Sequence, residues 1–509
     1  MSLFRRKSVD LLIDEATHRS GLKRALGRLE LTLLGIGAIV GAGIFSSVGT
    51  AIAGTADRPG AGPALVISLL IITLGSALAA LCYAEFAAMI PAAGSAYTYA
   101  YATLGELIAW IIGWDLIIEY AIGNVAVAIS WSSYFDTLLR GVGINLPAWL
   151  VVDFRSAHQA AEQLLTVDPA TVSSFTRQAA EAAATAPHVF GLPLIFNLPA
   201  VAIVALITWV LVIGIKESAW VNNISVFLKI AIVLLFIVVG ARFVKPDNWT
   251  PFAPNGFEGI SLGAFVIFFA YIGFDAISTV AEETKNPQKD MPFAIIASLV
   301  ICTILYIAIA LVLTGVMPWN LLGVADPLAE ALKSVGQDWA AGLVALGAVV
   351  SMTSVLLVFQ LGQPRIFFSM ARDGLLPQWA AKVHPKYRTP HVTTIITGFL
   401  VAIPALFFNI NEMVELTNIG TLFAFVLVAA GILVLRYREP GRARPFRTPL
   451  VPFVPVLCIL ICGYLMFKSP TKTWMLFLIW LAVGLVLYFL YGRRHSRLNP
   501  PTGQPIPNA

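Results

Sequence analysis

The chain has 509 residues, of which 58% are hydrophobic and only 12% charged, where soluble domains carry about a quarter of their residues as charges. With a mean hydropathy of +0.83 this excludes a soluble enzyme or binding module and implies an integral membrane protein. The net charge of +5 is a topology signal rather than a nucleic-acid footprint, because Lys and Arg concentrate in particular loops.

The first 28 residues form a basic tail carrying Arg5, Arg6, Lys7, Arg19, Lys23, Arg24 and Arg28, without the uncharged stretch and cleavage site of a signal peptide. Within it Val9 to Asp14 has amphipathic spacing suited to the inner leaflet, although a purely topogenic tail is the favoured reading. Apolar runs then predict twelve helices, at about 29–53, 63–90, 106–139, 197–215, 219–243, 259–280, 291–317, 340–368, 391–409, 414–436, 450–468 and 472–491. Beta-barrel alternation is missing, so the fold class is an all-α integral membrane protein, with a membrane domain over 29–491. The stretch 142–198 is a long alanine-rich external loop, read as a solvated spacer in preference to a lid or partner patch. In it Asp168 and Pro169 read as an N-cap and first-turn proline of a helix ending before Pro187. The proline-rich end, 492–509, reads as a disordered cytoplasmic tail. With the N-terminus inside, 23 of the 33 Lys and Arg fall on the cytoplasmic side, which predicts both termini cytoplasmic.

Two of the most apolar stretches contain helix breakers. One is Gly35 to Phe45, the other Phe268 to Asp275, in the first and sixth predicted helices. In hydrocarbon an unwound backbone survives only where protein or a cavity satisfies it. Paired breaks five helices apart predict two inverted repeats, 29–243 and 259–436, with a binding site at their interface and helices 11 and 12 (450–491) outside it. Unwinding at Gly41, Ala42 and Gly43 frees N–H groups at a helix N-terminus, suited to a carboxylate. Unwinding near Ala270 to Gly273 frees carbonyls suited to an ammonium. Tight helix packing is the competing reading of the glycines, and N-capping that of Asp275.

At these residues the sequence resembles the amino acid-polyamine-organocation superfamily, whose members share the leucine-transporter fold, and within it bacterial relatives of the cationic amino acid transporters. The resemblance rests on Gly37 to Phe45, Tyr83 to Phe86, Gly94 to Tyr97, Gly113 to Tyr120, Phe268 to Asp275 running into Glu282, Glu283, Asn286 and Pro287, and Leu416 to Phe425. It implies that backbone at Gly41, Ala42 and Gly43 holds a substrate carboxylate, that carbonyls of Ile39, Phe269, Ala270 and Ile272 surround the amine, and that Phe269 shapes or gates the cavity. Asp275 either caps its half-helix or reads a polar or cationic side chain.

Lys229 lies ten residues into its helix, about 15 Å deep and close to mid-membrane. Intramembrane ionisable residues are functional by default, so Lys229 is a candidate proton carrier, with a permanent structural tie as the bland reading. The resemblance places its ammonium where sodium-coupled relatives hold a cation, favouring proton coupling or sodium-independent exchange. Glu119 is its expected partner; Asp115, beside Trp110 and Trp114, is expected at the interface. Phe359 is expected to face the cavity and restrict it to small neutral side chains. The predicted function is a secondary amino acid transporter moving small neutral L-amino acids with protons. The alternatives are a cationic amino acid carrier, a sodium-independent exchanger, or a transporter-like amino acid sensor. Expected partners are the amino acid, protons and lipid, with no nucleic acid and no cofactor or metal, the chain acting alone or with a small membrane protein. Cys82, Cys302, Cys458 and Cys462 lie in apolar helices without metal-ligand spacing, and no phosphate loop or nucleophile elbow points to an enzyme.

Overall fold

The structure is a computed structural model that describes residues 4–14, 26–55, 58–90, 95–168, 172–214, 219–387 and 389–498. Its helices are α1 (Val9–Asp14), α2 (Arg28–Ile39), α3 (Val48–Ala53), α4 (Leu65–Met89), α5 (Ser95–Thr103), α6 (Glu106–Gly141), α7 (Phe154–Gln163), α8 (Ser174–Thr185), α9 (Leu198–Ile213), α10 (Ala219–Gly240), α11 (Gly256–Ile267), α12 (Pro287–Val316), α13 (Pro327–Ser334), α14 (Asp338–Arg372), α15 (His391–Phe407), α16 (Ile410–Arg438), α17 (Phe453–Phe467), α18 (Thr471–Leu487) and α19 (Arg493–His495). Among the described residues seven helices are long and apolar enough to cross a bilayer. The bent pair α2 and α3 makes an eighth if counted as one span, and four shorter apolar helices accompany them.

Burial orders these helices. In α6, 83% of the apolar window is buried, and the helix packs against α14 and α16 at the centre; in α18 the share is 22%, which puts α18 at the lipid-facing edge. A second set joins α12 to α4 and α2. Trp110 and Trp114, expected at the interface, bond to a neighbouring helix. Their indole N–H groups donate to Gly484 O and Trp480 O, both at 2.9 Å, and Trp114 stacks on Trp480 at 4.4 Å, so α6 is tied to α18. Asp115, the next residue, is fully buried among the helices.

Both tails lie at one end of the bundle. Arg5 Nη1 donates to Leu498 O at 2.7 Å, Arg497 N to Asp373 O at 3.1 Å, and Lys7 Nζ pairs with Asp373 at 3.3 Å. Val9 and Leu12 are buried in the core. The tail, read chiefly as topogenic with an inner-leaflet helix as the alternative, thus packs on protein, because its apolar residues meet apolar neighbours there. The C-terminal segment is likewise ordered as far as Leu498: Glu106 accepts hydrogen bonds from Tyr488 at 2.9 Å, Tyr101 at 3.2 Å and Ser496. The expected disorder of 499–509 and the motif residue Gly94 fall outside the described residues.

At the opposite end the loop between α6 and α9 is a helical hairpin, not a spacer. Asp153 caps α7 by accepting Ser156 N–H at 2.8 Å, and Ser173 caps α8 by accepting Thr176 N–H at 3.2 Å. The helix expected to start at Asp168 therefore begins five residues later, since Ser173 supplies the cap; Pro169 lies outside the described residues. Ala157, Ala160, Ala179 and Ala182 pack between the two helices. The hairpin is docked by Arg155 on Glu412, by Arg155 over the Phe408 ring at 4.9 Å, and by Gln178 on Asp136 at 3.1 Å.

Candidate functional site at the paired helix breaks

The first break follows from backbone geometry at Val40, which is extended (φ −76°, ψ 95°), so α2 stops at Ile39 and the chain restarts through a π-turn, Gly43–Ser47, into α3. The halves bend by 42°. Three carbonyls left at the end of α2 are each captured by a side chain from another helix. Lys229 Nζ on α10 donates to Gly37 O at 2.6 Å, Tyr306 OH on α12 to Ile39 O at 2.9 Å, and Ser351 Oγ on α14 to Val40 O at 3.1 Å. These donors satisfy the requirement that unwound backbone in hydrocarbon find partners.

The second break runs through a 3₁₀ turn, Phe268–Tyr271, an extended Ile272 and a left-handed Gly273 (φ 119°), then a 3₁₀ stretch, Phe274–Glu283. Only glycine takes that φ without strain. The two breaks touch. A Cβ on Gly43 would lie 2.3 Å from Ala270 Cα, and one on Gly273 would lie 2.9 Å from the Ala38 carbonyl. The glycines are required because backbone meets backbone here. Tyr271 carries the contact outward, packing edge-on against Tyr306 at 5.5 Å and bonding Thr73 Oγ1 at 2.9 Å.

Beside this contact lies a small cavity, with room for about one water, lined by Glu119, Tyr120, Ile272, Asp275 and Phe359. Four of the five are predicted site residues, drawn from α6, the second break and α14. Gly41, Ala42, Gly43, Ala270 and Phe269 are buried in the adjoining break contact and are not among the lining residues. Gly41 faces Val355, 3.0 Å from where its Cβ would be. Tyr120 was missed because a tyrosine beside a glutamate in an apolar helix carries no signal of its own; its ring meets Phe359 at 5.4 Å. Asp275 is not the residue at which the second half-helix starts. That residue is Gly273, which leaves Asp275 in the first turn, buried at the cavity wall.

The expected network between Glu119 and Lys229 is not formed. Among the described residues no carboxylate lies within ion-pair distance of Lys229, which is 1% exposed and bonded to Gly37 O instead. Glu119 sits at the cavity wall, where one of its oxygens, Oε2, has no hydrogen-bond partner; the same holds for both oxygens of Asp115 one turn earlier. Lys229 stands on α10, which packs on α14, α2 and α12, and Glu119 on α6, which packs on α14 and α16.

The family model for amino acid permeases matches residues 26–490, nearly the whole chain and both breaks. The chain belongs to the amino acid permease family. This permease is 47% identical to the methylthioribose transporter of Bacillus subtilis, over 98% of this chain and 99% of that one. It is 48% identical to the branched-chain amino acid permease of the same organism, over 98% and 99%. It is 31% identical to the vacuolar cationic amino acid transporter 4 of Arabidopsis thaliana, over 98% and 96%. The superfamily resemblance carried by the motifs is borne out, with the cationic transporters as the more distant relatives. The permease is a multi-pass membrane transporter and not an enzyme.

Proposed function

We propose that the permease carries small neutral L-amino acids across the cytoplasmic membrane by alternating access, as a secondary, proton-coupled transporter with both termini cytoplasmic. The reading takes α2 with α3, and α11 with the segment to Glu283, as the broken first and sixth of twelve spans in a leucine-transporter-type inverted repeat. It is carried by one observation: the two breaks abut, at Gly43 and Ala270, directly beside a cavity that four expected site residues line. On this reading the breaks part to admit the substrate, the backbone of Gly41, Ala42 and Gly43 takes the carboxylate, and carbonyls of Ile39, Phe269, Ala270 and Ile272 take the ammonium beside the cavity. Phe359, packed on Tyr120, limits the side chain in size. The name of the branched-chain relative agrees with neutral aliphatic substrates. Lys229 couples transport to protons by holding or releasing Gly37 O, and Glu119 provides a second, separate protonation site at the cavity.

A second reading is favoured by a specific observation. Glu119 and Asp275 face one cavity, which would also suit a cationic side chain. Competition against labelled L-alanine uptake in proteoliposomes separates the two: inhibition by neutral aliphatic amino acids, with none by L-arginine, supports the first, and the reverse order supports the second.

A further inference from the structure

At the end of the bundle where the tails lie, the last membrane helix runs into a group of arginines. α18 continues through a π-turn, Tyr488–Gly492, into α19, and only 22% of its apolar window is buried, so one side of it faces lipid. Val486, Phe489 and Leu490 carry that exposed apolar face down to the end of the run. Arg493, Arg494 and Arg497 follow at once, all exposed. Their backbone is held against the bundle. Arg497 N–H donates to Asp373 O at 3.1 Å, Ser496 to the buried Glu106, and Arg5 Nη1 to Leu498 O at 2.7 Å. Gly374 packs so closely here that a Cβ on it would lie 2.2 Å from His495 O. These contacts bring two more exposed arginines alongside, Arg372 next to Asp373 and Arg6 next to Arg5.

The carboxylates within this contact are already engaged. Asp373 pairs with Lys7, and Glu106 accepts hydroxyls from Tyr488, Tyr101 and Ser496. Among the described residues no carboxylate pairs with Arg6, Arg372, Arg493, Arg494 or Arg497. Unpaired guanidiniums at the level where an apolar helix face ends complement a phospholipid with net negative charge. Each planar fork takes two phosphate oxygens, and basic side chains clustered beside a membrane span attract an anionic leaflet. A free phosphate would match the charge but leave the adjoining apolar face unused. We propose that the end of α18 and the docked tails form a binding site for an anionic phospholipid. Arg493, Arg494 and Arg497 hold its headgroup phosphate, and its acyl chains lie along Val486, Phe489 and Leu490. A lipid bound to the docked tails stabilises the folded chain by mass action.

The test is native mass spectrometry of the full chain in detergent, titrated with dioleoylphosphatidylglycerol or dioleoylphosphatidylcholine, which share acyl chains and differ in headgroup charge. The wild type is expected to retain phosphatidylglycerol several-fold better. Arg493→Gln/Arg494→Gln/Arg497→Gln is expected to lose that preference, with unchanged phosphatidylcholine adducts reporting an intact fold. Lys382→Gln/Arg438→Gln/Arg447→Gln, which removes the same charge from other exposed positions, is expected to keep it. Equal retention of both lipids by the wild type overturns the site. So does a preference that survives the first triple variant, or one that both variants lose alike. Phosphatidylglycerol is also expected to raise the melting temperature of the wild type, and glycerol phosphate, the same phosphate without chains, is not. An equal rise with both overturns the lipid as the ligand.

Discussion

Gly43 and Gly273 fix how closely the two breaks approach, and each does so for its own reason. Gly43 must leave room for the Ala270 backbone, and Gly273 must hold a left-handed φ against Ala38. A methyl group at Gly43 forces the breaks apart at an overpacking cost of about 1–3 kcal/mol. Gly43→Ala is therefore expected to lower L-alanine uptake at least tenfold while Gly41→Ala, which meets only the flexible Val355 side chain, loses less; uptake in proteoliposomes checks the order. Replacing Phe359 by serine opens the cavity wall and is expected to admit larger amino acids as competitors, read as a change in the inhibition series. Lys229→Ala removes the donor to Gly37 O and is expected to abolish pH-dependent accumulation; accumulation that still follows an imposed pH gradient in the variant would refute the coupling role. At this scale the sequence was legible where chemistry is carried by breakers and by a charge in an apolar run. It did not reveal Tyr306 and Ser351, whose partners are carbonyls more than 260 residues away.

Among the elements, long apolar helices were legible because their composition alone dictates them, whereas α5, α7 and α13 were not, being short and without an apolar run. The tails were misread for a related reason: Val9, Leu12 and Ser496 are buried only by tertiary neighbours that no local pattern announces. Glu85, noticed only as part of a motif, ties elements together. It accepts both Arg436 bonds, at 2.9 and 2.8 Å, and Thr448 N–H at 2.8 Å, and it pairs with Arg444 at 3.1 Å, so it holds the end of α4 to the end of α16 and the chain beyond it. Breaking such a buried pair costs about 3–5 kcal/mol. Glu85→Ala is expected to lower the melting temperature in detergent far more than Glu162→Ala on the exposed face of α7. In the hairpin, burial pushes the Asp153 carboxyl up to about 6. The folded hairpin thus binds the proton more tightly than the unfolded loop. Its stability is greatest below about pH 4 and falls as pH rises towards 6, then levels off. Limited proteolysis within 154–185 is expected to quicken from pH 4 to pH 6.5 and to lose this trend in Asp153→Asn.

For the whole molecule, the arrangement around α6 puts the break contact and its cavity at the centre, with tails closing one end and the hairpin and the Arg58–Glu415 ion pair closing the other. Both ends are latched by polar bonds between separate elements, as expected of a carrier whose two sides open in turn. The family membership read from the motifs extends over the whole bundle, since the match spans 26–490. The side chain that the cavity accepts was not legible, because Glu119, Asp275, Tyr120 and Phe359 converge only after folding. The most direct test is counterflow of labelled L-alanine in liposomes containing the wild-type chain or Gly43→Val. Rapid counterflow by the wild type, abolished in a Gly43→Val protein that still folds, is the predicted result. Undiminished counterflow in Gly43→Val would contradict the claim that the amino acid is held where the two breaks meet.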